Sequence, residues 1–260
     1  MFVAKRIFVA GNNITGVERL YQKAKLTNME KNVALVRAPR IAGLAYLLST
    51  AVLVVSEFTI NARLNVEGNA AQTANNILSH ESLFRLNIVC QLVYCAGTLV
   101  LLAALYVILK PVDRILALIA AFCRLLYALA WPFIALNSFI ALRLLSGGTY
   151  LKVFETDRLQ ALAKVFLSGF DAYYVGLLFW SLASTICAWL WFKSNYIPRA
   201  LSVFGLLSSI WCVACTVSFL IFPNFSDAVN LWWFDSPMAI FEIVTSFWLL
   251  FKGIRKTEMP

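Results

Sequence analysis

Six long apolar stretches, separated by short polar punctuation, run along the chain at residues 40–60, 86–109, 114–144, 166–192, 200–222 and 237–251. A helix of ~20 apolar residues crosses a ~30 Å hydrocarbon core, so the pattern predicts an all-α polytopic membrane protein, a bundle of six transmembrane helices. The punctuation fits. "KPVD" at Lys110–Asp113 and "NYIPR" at Asn195–Arg199 put a proline near the start of the next helix, where its missing N–H costs nothing, and "SGG" at Ser146–Gly148 closes the third stretch. Two connections are longer. Asn61–Phe84 is expected to hold a short interfacial helix over "AAQTANNIL". A helix capped by Thr156 and running to Phe192 would measure about 55 Å, so its first turns should stand in the interface.

Polar residues inside the stretches fall at helical spacings. Tyr46, Thr50 and Glu57 share a face of the first span, and Asn87, Gln91, Tyr94 and Thr98 form a continuous stripe on the second. Ser202, Gly205, Ser209, Cys212 and Thr216 make a stripe of small residues on the fifth, read as a seam for close helix packing. On the third span Arg124, Trp131 and Ser138 share a face, and Pro132 should bend the helix and free the carbonyl of Ala128.

Charge then sharpens the picture. Arg124 lies ten residues past Arg114, and Glu242 ten residues before Lys252, so each sits about 15 Å into the core from the same side. An unpaired charge near the midplane costs about 2.5–3.5 kcal/mol, and a structural ion pair between Arg124 and Glu242 is the cheapest resolution. Glu57, Arg85 and Asp171 lie nearer the opposite face, with Tyr173 and Tyr174 placed to orient Asp171. These residues suggest a polar cavity opening outward, lined by Glu57, Asp171, Asn87, Gln91 and Tyr174 and floored by Arg124 and Glu242. Arg85 reads as an interfacial anchor and His80 as a loop residue.

Composition agrees: 61% of the 260 residues are hydrophobic and 13% charged, against about a quarter charged in soluble domains. The net charge of +9 points to topology and lipid head groups, and no nucleic-acid motif accompanies it. Lys5, Arg6, Arg19, Lys23, Lys25, Lys31, Arg37, Arg40, Lys110, Arg114, Lys193, Arg199, Lys252, Arg255 and Lys256 fall on one side, against Arg63, Arg85, Arg143, Lys152, Arg158 and Lys164 opposite, where the last connection carries only Asp227 and Asp235. Both termini are therefore expected in the cytoplasm. Residues 1–37 read as a basic cytoplasmic tail, 38–254 as the six-span domain and 255–260 as a second tail. The first residues lack a signal-peptide core, and "MEKNVALVRAPRIAGL" makes Met29 an alternative start.

The six cysteines all fall in apolar stretches, which implies buried thiols and no disulfide framework. Cys212 and Cys215 form a CxxC without a second pair or histidines, so neither a metal nor another cofactor is expected. No GxSxG, HExxH, P-loop or Rossmann fingerprint is present.

"RIAGLAYLL" (Arg40–Leu48), "LFRL" (Leu83–Leu86), "LYVILKPVDRILALIAAFCRL" (Leu105–Leu125), "GLLFW" (Gly176–Trp180), "IPRAL" (Ile197–Leu201) and "WLLFKG" (Trp248–Gly253) give the chain a family resemblance. Over about residues 38–254 it resembles bacterial membrane proteins of the domain-of-unknown-function family numbered 4386. The resemblance implies a bacterial inner-membrane protein with about six spans and no assigned activity. It also implies charged family positions at Glu57, Arg85, Arg124 and Glu242.

Three function classes follow. The leading expectation is binding, with transport or sensing, of a small amphipathic or lipid-like molecule in the outward-facing pocket. An intramembrane enzyme acting on lipid, with Glu57 and Asp171 as acid and base, is the second. In the third, a structural or partner-binding protein, Arg124 and Glu242 only latch helices.

Overall fold

The computed structural model describes residues 16–66, 68–148, 151–168, 170–222 and 224–255. The side chains of residues 16–18, 26–35, 170–171, 226–227 and 231–232 fall outside that description. So do residues 1–15 and 256–260, and with them the question of the first residues and most of the C-terminal tail.

The described residues are helical with no strand. Helix α1 (Gly16–Val55) continues into a π-helical turn at Ser56–Asn61 and a last turn at Ala62–Leu64. Then come α2 (Ala70–Ser79), α3 (Glu81–Leu109), α4 (Arg114–Leu145), α5 (Thr156–Ser168), α6 (Phe170–Ser194), α7 (Arg199–Ile221) and α8 (Ser236–Phe251). Local chemistry sets these limits. Asn69 caps α2 through Gln72 N at 2.9 Å, and Asp113 Oδ1 accepts from Ile115 N at 3.1 Å and Leu116 N at 3.0 Å. Gly147, at φ 67°, follows the end of α4, and Gly253, at φ 69°, follows α8.

Five helical segments are long and apolar enough to cross a membrane: Val36–Leu64, Glu81–Leu109, Arg114–Leu145, Thr156–Ser194 and Arg199–Ile221. The sixth expected span is shorter. Helix α8 has 16 residues, about 24 Å, roughly one turn less than a ~30 Å core. Pro237 in its first turn and Gly253 just beyond its end fix that length. The short helix over "AAQTANNIL" and the helix start at Thr156 both form where the pattern places them.

The chain divides into two units, Met1–Arg37 and Ala38–Pro260. In the first, the described side chains of residues 19–25 are exposed. In the second, α4 is the central element and packs against α3, α5 and α6, α6 packs against α7, and α7 against α8. Three layers of buried side chains fill the interior. Ile108, Leu190, Ile197 and Leu249 lie in one end layer, Tyr94, Tyr127, Trp180 and Cys212 in the middle, and Ile60, Ile77, Phe84 and Leu142 in the other. Large apolar residues such as Phe122, Phe133 and Leu136 stand exposed on α4, as expected of a surface solvated by lipid.

Small residues let the helices approach. The ring of Phe241 on α8 would lie 2.3 Å from a Cβ placed on Gly205, within the buried seam of Ser202, Gly205, Ser209, Cys212 and Thr216. On α1, Gly43 admits the backbone of α8, since a Cβ there would meet Ser246 O at 2.4 Å.

Candidate functional site: a buried polar centre

Arg124 is one turn below Tyr127 on α4 and points inward; only 4% of it is exposed. Its Nη2 lies 2.7 Å from Glu242 Oε1 on α8, and its Nη1 donates to Oε2 at 3.4 Å. Glu242 is 7% exposed and takes further hydrogen bonds from α6, where Trp180 Nε1 donates at 3.0 Å and Ser184 Oγ also donates to Oε1. Arg124 Nη2 reaches Ser184 Oγ at 3.4 Å as well. A carboxylate on α8 thus gathers donors from α4 and α6. The buried charge is neutralised by its partner and hydrogen-bonded, the condition under which charges survive in a membrane interior.

Aromatic side chains cover this pair. Trp180 stacks on Tyr127 with centroids 5.4 Å apart, Tyr127 and Tyr94 share a 2.8 Å hydroxyl hydrogen bond, and the Tyr94 ring lies 4.6 Å from that of Trp131. A continuous run of contacts therefore leads from Glu242 through Trp180 and Tyr127 to Tyr94 on α3.

The α3 stripe is buried along its length, at Asn87, Gln91, Tyr94 and Thr98. Asn87 Oδ1 accepts from Ser56 Oγ in the π-helical turn, and Thr98 Oγ1 donates to Tyr94 O at 3.0 Å. Gln91 Oε1 is buried without a hydrogen-bond partner among the described residues, as is Trp131 Nε1.

The expected outer carboxylates are placed differently from the central pair. In the π-helical turn each residue turns the chain by less than the α-helical 100°, so the face of Tyr46 and Thr50 does not run straight on. Ser56 is the fully buried residue there, whereas Glu57 is half-buried and accepts from Asn61 Nδ2 at 2.8 Å on its own helix. Asp171 belongs to α6, and its side chain lies outside the described residues. Tyr173 instead donates to Asp235 Oδ2 at 2.9 Å. Tyr174 is buried and stacks on Phe219 and Phe234. Burial is the main cause that raises the Asp235 carboxyl above its ordinary value of 3.8. Arg85 pairs with Glu81 at 2.7 Å on the exposed face of α3.

On the other side of Arg124 a small crevice is lined by Leu105, Leu109, Ala117, Ala120 and Cys187. Its volume of about 10 Å³ matches a single water rather than an organic ligand. Arg124 Nε has no hydrogen-bond partner among the described residues. No group of three or more metal-ligating side chains occurs among the described residues.

Trp180, Ser184 and Asp235 were not singled out from sequence. The signal for the first two was a spacing of four on α6, with Ser181 and Thr185 alongside, diluted by an otherwise apolar helix. Asp235 looked like an ordinary loop acid, and only its partner on α6 distinguishes it.

The family model described as "Domain of unknown function (DUF4386)" matches residues 41–253. No curated protein and no solved structure matches the chain.

Proposed function

Because the chain belongs to the DUF4386 family, a multi-span family without an assigned activity, we propose that it is a bacterial inner-membrane protein that binds a small amphipathic or lipid-like molecule within its helix bundle. The carrying observation is the buried stripe of α3, where Gln91 Oε1 stands without a partner between an aromatic layer and the Ser56–Asn87 hydrogen bond. A lone acceptor in a membrane interior is costly, and a ligand that donates to it offsets that cost. Arg124 and Glu242 floor the site, with Glu57 and Asp171 toward its outer mouth.

The topology proposed with it has six spans and both termini cytoplasmic. Helix α8 is the sixth, supported by its packing on α7 and by Glu242 reaching a mid-helix residue of α4. A helix shorter than the core is accommodated by local thinning of the bilayer. The Lys and Arg excess beside Lys110, Lys193 and Lys252 supports the orientation.

One observation favours a second reading, a purely structural latch: Glu242 is engaged by three side chains from two other helices, with no capacity obviously kept for a ligand. Mass spectrometry of small molecules co-purifying with detergent-solubilised protein separates the two. Wild type should carry a specific molecule that folded Gln91→Leu, Glu57→Gln and Asp171→Asn variants lose. Variants that only melt earlier, with nothing bound to wild type, leave the latch as the answer.

A further inference from the structure

The level at which Gln91 and Trp131 lie between α3 and α4 follows from their neighbours. The two helices are antiparallel, joined by the turn at Lys110–Asp113, and Tyr94 meets Tyr127 through its hydroxyl. Three residues toward the start of α3 is Gln91; the matching step toward the end of α4 is Ala130, beside Trp131. The Trp131 ring also packs 4.6 Å from Tyr94, one turn from Gln91. Gln91 is 4% exposed and Trp131 5%. One offers an acceptor and the other a donor, and neither Oε1 nor Nε1 has a partner among the described residues.

No fully buried charge among the described residues lies at this level, and the nearby half-buried carboxylates already accept hydrogen bonds, Glu57 from Asn61 and Asp235 from Tyr173. Among the described residues the buried charged side chains are Arg124 and Glu242, which neutralise each other about two turns away. A ligand with an ionic head would bring an uncompensated charge beside Gln91 and Trp131, a penalty on the order of a hundredfold in affinity. A neutral head with one donor and one acceptor satisfies both groups at once. The surroundings, Tyr94, Tyr127 and Trp131, suit an apolar body attached to that head.

We infer that the α3–α4 interface at Gln91 and Trp131 recognises an uncharged amide or alcohol head on an apolar chain, donating to Gln91 Oε1 and accepting from Trp131 Nε1. This rests on the ligand-binding reading above and specifies the chemistry of its ligand.

The test uses the full chain in nanodiscs with three radiolabelled probes of one chain length: decanamide, decanoate and decylammonium. Specific binding is what excess unlabelled decanamide displaces. Decanamide should bind saturably to wild type, with at least tenfold weaker binding for the two ionic probes. Gln91→Leu should lose at least tenfold in decanamide affinity. Trp131→Phe, which keeps an aromatic ring and removes only the N–H side of the fused system, should lose affinity too and serves if Gln91→Leu does not fold. Saturable binding of decanoate or decylammonium equal to decanamide overturns the neutral-head assignment while leaving a binding protein. Unchanged decanamide affinity in the folded variants overturns the site. No saturable binding of any probe overturns the inference, and the binding reading falls with it only if wild type also carries no co-purified molecule.

Discussion

Arg124 and Glu242 stand 118 residues apart in the chain and 2.7 Å apart in the bundle, each more than nine-tenths buried. They join the central helix α4 to the last one, and Ser184 and Trp180 bring α6 into the same knot. An arginine in the middle of an apolar helix is tolerable in this setting because its carboxylate comes from a helix that the chain reaches much later.

Breaking the pair should therefore be expensive. Glu242→Gln keeps acceptors for Trp180 and Ser184 but leaves the Arg124 cation unpaired, and should destabilise by about 3–5 kcal/mol. Adding Arg124→Met to it should restore much of that loss, since no lone charge remains. Unfolding in mixed detergent–SDS micelles measures both; a double variant no better than the single one would mean the charge pair is not the source of the cost.

The seam between α7 and α8 gives a steric prediction. Gly205→Ala puts a methyl group 2.3–2.6 Å from the Phe241 ring atoms, and overpacking of this kind costs about 1–3 kcal/mol. Phe241→Leu should relieve part of it. Gly43→Ala meets backbone at Ser246 and Leu250, so no side-chain replacement on α8 should rescue it. Melting temperatures of the two pairs of variants distinguish side-chain from backbone contact.

Asp235 makes stability depend on pH with an uncommon sign. Its folded carboxyl is raised above 3.8, chiefly by burial, so the folded state holds the proton more tightly than the unfolded chain. That contribution is fully present below the ordinary carboxylate value and is lost as pH rises through the raised one. Wild type should lose stability across that window, and Asp235→Asn, which still accepts from Tyr173, should flatten the profile. Thermal melts from pH 3 to about 8 read it; the same slope in both proteins would assign it to another group.

Topology is decided by where the chain ends. With six spans, reporters fused after Arg19 and at the C-terminus should both report the cytoplasm. A fusion at Asn195 should agree with them, and one in the 66–69 loop should report the opposite side. Termini on opposite sides would leave α8 as a helix that does not cross.

Much of the bundle was legible because a membrane interior gives each residue a large, local cost. Apolar length alone located five segments able to span a membrane, and the loop helix at Ala70–Ser79 and the helix start near Thr156 followed from polarity, with Thr156 as the first helical residue instead of the cap. Helix α8 was harder. Its extent was legible, since the stretch expected at 237–251 forms as Ser236–Phe251, with Pro237 in its first turn and Gly253 just beyond its end, but 16 residues fall short of the length that marks the other five segments. The direction Glu57 faces was hidden for a different reason: a π-helical turn changes the phase of a helix face, and nothing in "SEFTIN" announces one.

The sequence by itself determined which residues the membrane would not tolerate alone, because the cost of a buried charge or amide depends on depth along one helix. Counting residues put Arg124 and Glu242 at one level, and spacing put Asn87, Gln91, Tyr94 and Thr98 on one face. Only the tertiary structure decided which partners they found. Trp180 and Ser184 meet Glu242, Tyr127 meets Tyr94, Ser56 meets Asn87 and Tyr173 meets Asp235. Each of these bonds depends on the rotation and register of two helices. Those are set by the packing of whole faces, as at Gly205 and Phe241, and no single segment contains that information.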